Sequence, residues 1–190
     1  MAIKDQALEL LRGSPVSRIR YRFLVTGTPI TVNRACFTHV ADKIDADHIT
    51  IVENATPGGG AAATYAGASN TITSPPLGGR FAQGTFVHES LHAYFDMTRT
   101  GLPAIDDEAA CYITEVLYVR MMGLREVHWS SPSRLAAKPI VTGILQAYMR
   151  GVREPEVDFT QWLALRDVIR NRPIYVNGPA GTGGSYTQDG

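Results

Sequence analysis

The stretch FVHESLHAYFD, residues 86–96, carries the motif from which the fold and the candidate site are predicted. At its centre is an H-E-x-x-H sequence formed by His88, Glu89 and His92. On an α-helix, residues four positions apart lie one turn apart on the same face, so the two imidazoles converge on one point. Their ring nitrogens can fill two of the four tetrahedral positions around Zn²⁺, at about 2.0–2.1 Å from the ion. The other residues of the stretch are mostly apolar, as a buried helix requires.

Glu89 has a separate role in this arrangement. It is rotated by about 100° around the helix from His88, so its carboxylate lies beside the metal position rather than on it. From there it can accept a proton from a water molecule at the metal. We therefore predict a Zn²⁺ site with His88 and His92 as ligands and Glu89 as general base.

A catalytic zinc site also needs a third protein ligand and an open position. The next predicted helix carries several acids, and its Glu108 and Glu115 are seven residues apart. Tyr112 lies between them at helical spacing, so the three side chains share one face. A glutamate among apolar neighbours needs a partner, and a metal ion is one. We predict Glu108 as the third ligand, keep Glu115 and Asp107 as alternatives, and expect Asp106 or Asp107 to cap the helix.

The composition is that of an ordinary globular protein. Of 190 residues, 44% are hydrophobic and 19% are charged, and the net charge is zero. We expect no nucleic-acid partner and no membrane partner, because neither a global charge nor a transmembrane stretch supports one. Residues 18–22 alternate arginine with apolar side chains, which favours a solvated strand face over a basic binding patch.

The remaining patterns predict an α+β domain. Strands are predicted over residues 18–25 and 48–53, with two short strands at 64–65 and 71–73 joined by a turn. Helical patterns cover residues 1–13, where Ala7, Leu8, Leu10 and Leu11 would face the core, and five later stretches, which are 34–44, 84–98, 106–122, 131–150 and 158–171. We expect a small, mostly antiparallel sheet packed on the zinc helix and the Glu108 helix, with further helices after residue 130. Residues 1–176 would form a single domain, followed by a flexible Gly-rich tail at 177–190.

Two further expectations concern the environment of the chain. Cys36 and Cys111 are too few for a disulfide scaffold, so we predict buried free thiols. The first residues lack the pattern of a secretory signal, so the cytoplasm is the default location, and export without such a signal would look the same.

The motifs together resemble the zincin metallopeptidases, in particular the gluzincin branch, over residues 65–122. His88, Glu89 and His92 match the zinc-helix motif, and the Asp-Glu-Ala-Ala sequence at 107–110 resembles the step in which a glutamate completes the zinc site. Residues 70–74 resemble the edge strand that pairs with the substrate backbone. The glycine and third histidine of the metzincin branch are absent.

The resemblance implies a zincin-like fold and zinc-dependent hydrolysis of peptide bonds in a protein or peptide substrate. The histidine or tyrosine that stabilises the oxyanion in this family has no clear counterpart. We assign that role to Tyr112, and four further candidates are Tyr65, Tyr94, Tyr118 and His128.

Two alternatives stay open at this point. The same catalytic core would suit a toxin or effector metalloprotease that acts on one specific protein. The chain could also be a non-catalytic zinc-binding or interaction module, in which a fourth ligand such as Asp96 or Glu115 would close the metal site. Manganese or nickel would also suit two histidines and a glutamate. The sequence predicts no oligomeric state.

Overall fold

A computed structural model describes residues 1–54, 63–124 and 131–172. The helices and strands follow one another in a mixed order, which confirms the α+β class. They are α1 (Ile3–Arg12), α2 (Ser14–Ser17), β1 (Tyr21–Val25), β2 (Thr28–Val32), α3 (Arg34–Asp45), β3 (Thr50–Glu53), β4 (Thr64–Ala66), β5 (Thr71–Ser74), α4 (Arg80–Met97), α5 (Ala104–Met121), α6 (Pro132–Met149) and α7 (Phe159–Arg170). A short 3₁₀ turn, Gly67–Ser69, joins β4 to β5.

The centre of the molecule is the pair α4 and α5, which pack closely along their length. Both helices are buried on nearly every side, because their residues are apolar around most of the circumference. The two helices run antiparallel: a Cβ added at Gly84 would meet Val119 near one end, and His92 contacts Asp107 near the other. Helices α6 and α7 cover α5, whereas α3 and the strands β4 and β5 lie against α4.

The strands form two separate sheets in the part of the chain that the structure describes. Strands β1 and β2 make an antiparallel hairpin. Strands β3, β5 and β4 make a second sheet in that order, in which β3 and β5 are parallel and β4 and β5 antiparallel. The expectation of one mostly antiparallel sheet over residues 18 to 74 is therefore wrong. Side-chain alternation does not specify which strand pairs with which, because that depends on contacts between distant segments.

The position of β5 corrects a second expectation. Residues 70–74 resemble an edge strand in sequence, but β5 is the central strand of its sheet, with β3 on one side and β4 on the other. Its backbone groups are therefore engaged on both sides. The edge strand that contacts α4 is β4. Its Tyr65 backbone N–H donates a hydrogen bond to Glu89 of that helix.

The hairpin β1–β2 contacts α5 and α7. The hydroxyl of Tyr21 donates to the carbonyl of Ala110 at 2.8 Å, and the ring of Phe23 stacks on Trp162 with 4.4 Å between centroids. On the exposed face of β1, Arg22 forms an ion pair with Glu156 at 2.8 Å. This pairing fits the solvated strand face predicted from residues 18–22.

Helix boundaries agree with the sequence patterns to within a few residues, with one informative exception. Helix α5 begins after Pro103, and neither Asp106 nor Asp107 caps it, so the predicted cap is wrong. Proline fixes a φ near −65°, which suits a helix start without a side-chain cap. Both aspartates lie in the buried first turn and are used elsewhere: Asp106 is 2.8 Å from Arg166, and Asp107 is 2.9 Å from His92.

Three smaller findings complete the fold. Cys36 and Cys111 are buried free thiols, as predicted. Among the described helices, none combines the length and the apolarity that crossing a membrane would require. The predicted flexible tail, 177–190, lies outside the described residues.

Candidate metal centre

Helix α4 brings the two motif histidines together. The Nε2 atoms of His88 and His92 are 3.1 Å apart, and their rings meet edge to face. Two ligands bound tetrahedrally at about 2.0–2.1 Å would be about 3.3–3.4 Å apart. The helical spacing predicted from the sequence therefore produces a separation close to that of two ligands on one ion.

Helix α5 supplies the carboxylate at the same point. The Oε2 atom of Glu108 is 3.7 Å from Nε2 of His88. Glu115 also contacts His88, but its Oε2 atom lies 3.4 Å from the other ring nitrogen, Nδ1. The two glutamates thus meet opposite edges of one imidazole. Glu108 shares the Nε2 side with His92, whereas Glu115 does not.

Two buried carboxylates lie near the distal nitrogens of the histidine rings. Asp107 Oδ1 is 2.9 Å from His92 Nδ1, and Glu115 approaches His88 Nδ1 while accepting a hydrogen bond from Arg134 at 2.8 Å. Carboxylates that bind the distal nitrogen of a metal-ligating histidine fix the tautomer and the ring orientation. The Asp107 contact therefore fixes the His92 ring, whereas Glu115 is near His88 Nδ1 without a hydrogen bond to it in the described chain.

The donor set is suited to a metal ion. Among the described residues, the ligand atoms that lie within 4.8 Å of one another belong to His88, His92 and Cys111. Glu108 is not a member of that group, although its Oε2 atom lies 3.7 Å from His88 Nε2. His88 Nδ1 is buried and makes no hydrogen bond within the described chain, although Glu115 Oε2 lies 3.4 Å away. A histidine bound to a cation would strengthen that contact, because coordination makes the Nδ1 proton a better donor.

Cys111 is a residue that the sequence analysis did not place in the site. Its side chain, His88 and His92 each offer a ligand atom, and these atoms lie within 4.8 Å of one another, so the group could hold a metal ion. The thiol contacts Asp107 Oδ1 at 3.4 Å, on the Nδ1 side of His92. Burial raises the pKa of Cys111 well above its ordinary value, which favours the thiol over the metal-binding thiolate. A signal was present in the sequence, since Cys111 follows Asp107 by one helical turn.

Glu89 is held beside the two histidines by strand β4. Its Oε2 atom accepts a hydrogen bond from the backbone N–H of Tyr65 at 2.8 Å. Burial raises the pKa of the Glu89 carboxyl, and the two nearby histidines oppose that shift. A carboxylate with a raised pKa is better matched to proton transfer near neutral pH than an exposed one.

Protonation of His92 is governed by the residues behind it. Burial lowers its pKa, but the Asp107 carboxylate and the Cys111 side chain act in the opposite direction, and the net pKa lies well above the ordinary value. A metal ion and a proton compete for the same imidazole, so metal binding here releases a proton.

Tyr112 lies on the flank of the site, as predicted from its helical spacing. Its ring meets the His88 ring edge to face, with centroids 4.8 Å apart. Its hydroxyl accepts a hydrogen bond from Arg172, whose guanidinium lies 5.6 Å above the ring. Burial raises the pKa of Tyr112 to about 12, so the hydroxyl keeps its proton at neutral pH.

The other aromatic candidates have different partners. The Tyr65 hydroxyl donates to Asp96 at 2.6 Å, which also removes Asp96 from the metal side. The Tyr118 hydroxyl donates to Gln83 at 2.7 Å, and Tyr94 packs edge to face on His39. His128 lies outside the described residues. Of the described candidates, Tyr112 is the one whose ring contacts a predicted ligand.

Comparisons with known proteins give no relative. No protein family, no curated protein and no solved structure matches the chain. What can be said of function therefore comes from the site itself.

Proposed function

We propose that the protein is a zinc-dependent peptidase with a zincin-like catalytic core. One observation carries the proposal: the Nε2 atoms of His88 and His92 lie 3.1 Å apart with Glu108 Oε2 3.7 Å from the first, while Asp107 binds the distal nitrogen of His92 and Glu115 lies 3.4 Å from that of His88. Inert surface histidines have no need of two buried carboxylates behind them, since burial of an ionised group costs free energy.

Each residue of the centre has a distinct task under this proposal. His88, His92 and Glu108 hold the ion, and Asp107 and Glu115 orient the two imidazoles. When bound, Zn²⁺ lowers the pKa of a water ligand toward 7 and polarises a substrate carbonyl. Glu89 accepts the proton of the attacking water and delivers it to the leaving amine.

Strand β4 supports this assignment of Glu89 as the base. A hydrogen bond from a backbone N–H fixes the carboxylate without a long side chain that would lose rotamer entropy on ordering. The oxygen that does not bind Tyr65 is the one available for the proton. Without the contact, Glu89 would sample other rotamers, and reaction rates fall steeply when a reacting group is misplaced by an ångström.

A peptide is the substrate class that best suits the surroundings. Strand β4 is at the edge of its sheet and directs its Tyr65 backbone toward Glu89. An edge strand can bind an extended peptide through main-chain hydrogen bonds, as in β-augmentation. The strand proposed for this role is therefore β4, in place of the central strand β5 predicted from the sequence.

Cys111 favours a second reading of the metal centre. If its thiolate completed a closed site with both histidines and Glu108, the ion would be structural and the chain would be a non-catalytic module. The location of Cys111 behind His92, against Asp107, argues for the open site.

The test measures metal content and proteolysis on the same preparations. We expect about one zinc per chain in the wild type and in Glu89→Gln, and loss of zinc in His92→Ala and Glu108→Ala. Cleavage of a denatured protein mixture, mapped by mass spectrometry, should fall by about 10²–10⁴-fold in Glu89→Gln, the usual contribution of a general base. Full activity in Glu89→Gln would refute the mechanism.

A matched variant separates the open site from the closed one. Cys111→Ser keeps the volume of the side chain close to that of cysteine but replaces the sulfur. Zinc retained with full affinity and activity would support three ligands and an open position. Loss of zinc in Cys111→Ser, with no proteolysis by the wild type, would establish the structural site instead.

A further inference from the structure

The arginines around α5 and α7 differ in what neutralises their charge. Arg134, Arg166 and Arg170 each have a carboxylate oxygen at 2.8–3.0 Å. Arg172, two residues after the end of α7, has no carboxylate partner in an ion pair within residues 1–54, 63–124 and 131–172. Its contacts are the hydroxyl and the ring face of Tyr112, both of which are neutral.

The Arg172 guanidinium lies near the proposed metal centre because it contacts Tyr112, and the Tyr112 ring in turn contacts His88. The Tyr112 ring contacts both side chains: the Arg172 guanidinium is 5.6 Å from its centroid, and the His88 ring centroid is 4.8 Å away. Arg172 is partly buried rather than exposed. A partly desolvated cation gains most from an anion that arrives from outside, since no carboxylate of the described chain forms an ion pair with it.

The hydrogen-bond direction between the two side chains leaves donors for such an anion. The Tyr112 hydroxyl accepts from Arg172, so its own proton remains for donation to a ligand. Arg172 has five N–H groups in a planar fork, of which one is used by Tyr112. Guanidinium and hydroxyl together therefore match the two oxygens of a carboxylate.

We propose that Arg172 and Tyr112 form a subsite that binds a carboxylate of the peptide substrate beside the bond to be cut. The inference rests on the proposed peptidase function, which it deepens by naming a substrate feature. The carboxylate is either the C-terminal carboxylate of a peptide or the side chain of an aspartate or glutamate. Both sources present the same two oxygens to Arg172, and the experiment distinguishes them.

The test compares three hexapeptide libraries of otherwise equal composition with the zinc-loaded full chain. The first has free C-termini and no internal acid, the second has amidated C-termini and one glutamate, and the third has amidated C-termini and glutamine in its place. We expect the wild type to cut the first or the second about 10- to 100-fold faster than the third, as a charge-assisted hydrogen bond would give. Preference for the first identifies a terminal carboxylate, and preference for the second an acidic side chain.

Two variants decide whether Arg172 is responsible. Arg172→Gln should abolish the preference, measured as the ratio of the rates on the acidic libraries to the rate on the neutral third library, because removal of a side chain that only stabilised the fold would lower all three rates together and leave that ratio unchanged. Arg170→Gln is the matched control, since this exposed arginine ends α7 two positions before Arg172 and pairs with Asp167. It should keep the preference of the wild type. Equal rates on all three libraries, or a preference that survives in Arg172→Gln, would overturn the subsite and leave the peptidase function standing.

A separate readout keeps the two proposals distinguishable if no library is cut. If the denatured protein mixture is not cut either, the proposed function fails. Binding of the libraries to immobilised Glu89→Gln protein then decides whether the subsite exists. Retention of acidic peptides that is lost in Glu89→Gln/Arg172→Gln supports the anion site. Equal retention of acidic and neutral peptides overturns it.

Discussion

The contact between Gly84 and Val119 gives a sharp prediction about how the metal centre is held together. Gly84 lies one turn before His88 on α4, and a Cβ at this position would be 2.7 Å from Val119 Cγ2 on α5. Real Cβ atoms essentially never approach so closely, so Gly84→Ala must displace one of the helices or the valine. Val119 is fully buried, and a helical valine has one strongly preferred rotamer, so it cannot turn away freely.

Gly143 on α6 supplies the matched control for the same substitution. It is also a helix-interior glycine, but no atom lies within 4 Å of an added Cβ. Both substitutions gain about 1 kcal/mol of helix propensity, so their difference isolates the overpacking cost of about 1–3 kcal/mol. At about 2–4 °C per kcal/mol for a chain of this size, Gly84→Ala should melt about 2–12 °C below Gly143→Ala.

Thermal unfolding followed by circular dichroism, together with zinc titration, measures both consequences. Because Gly84 also lies next to Glu115, separation of the helices should weaken zinc binding in Gly84→Ala and leave it intact in Gly143→Ala. Val119→Ala should compensate, so that the double variant is more stable than the sum of the single changes by about 0.5–3 kcal/mol. If Gly84→Ala were as stable as Gly143→Ala, the close helix packing inferred here would be wrong.

Three further predictions follow from single contacts. Asp107→Asn should weaken zinc affinity by about 10–100-fold in a competition titration, because the carboxylate behind His92 is lost, and an unchanged affinity would remove Asp107 from the site. Arg134→Gln should lower the free energy of unfolding, measured by urea denaturation, by about 3 kcal/mol, because Glu115 loses the cation that neutralises it. Adding Glu115→Gln to that variant should restore part of the loss. Tyr21→Phe should cost about 1–2 kcal/mol at neutral pH, because the hydroxyl loses its hydrogen bonds to Ala110 and Thr114 and one such bond contributes about 1 kcal/mol. Burial raises the Tyr21 pKa well above 10, so the stability that this group contributes is present below pH 10 and is lost as pH rises toward the folded-state pKa. The phenylalanine variant should therefore lose less stability than the wild type above pH 10.

The local part of the site could be predicted from the sequence. Two histidines four residues apart on one helix must face the same way, and Glu108, Tyr112 and Glu115 must share a face of the next helix. The structure places all three within reach of His88. These relations depend on helical periodicity alone, and periodicity is the primary secondary-structure signal in a sequence.

The remaining features depend on contacts between distant segments. The pairing of β3 with β5 reverses the expected edge, and no alternation pattern in residues 71–74 distinguishes a central strand from an edge strand. The cap expected at Asp106 or Asp107 is wrong because α5 begins earlier, after Pro103, and Asp107 instead contacts His92 on another helix. Arg172 contacts Tyr112 across 60 residues, and a lone arginine at a helix end gives no sign of such a partner.

The antiparallel pairing of α4 and α5 has a consequence for how the protein folds. The proposed ligands lie on two helices that are consecutive in the chain, with the short connection from Thr98 to Pro103 between them. Closing so short a loop costs little chain entropy, and local contacts of this kind form early in folding. The pairing of β3 with β5 instead closes a much longer segment. Substitutions in the α4–α5 interface should therefore slow folding, whereas those between β3 and β5 should mainly speed unfolding, so the metal centre would be among the first parts of the molecule to assemble.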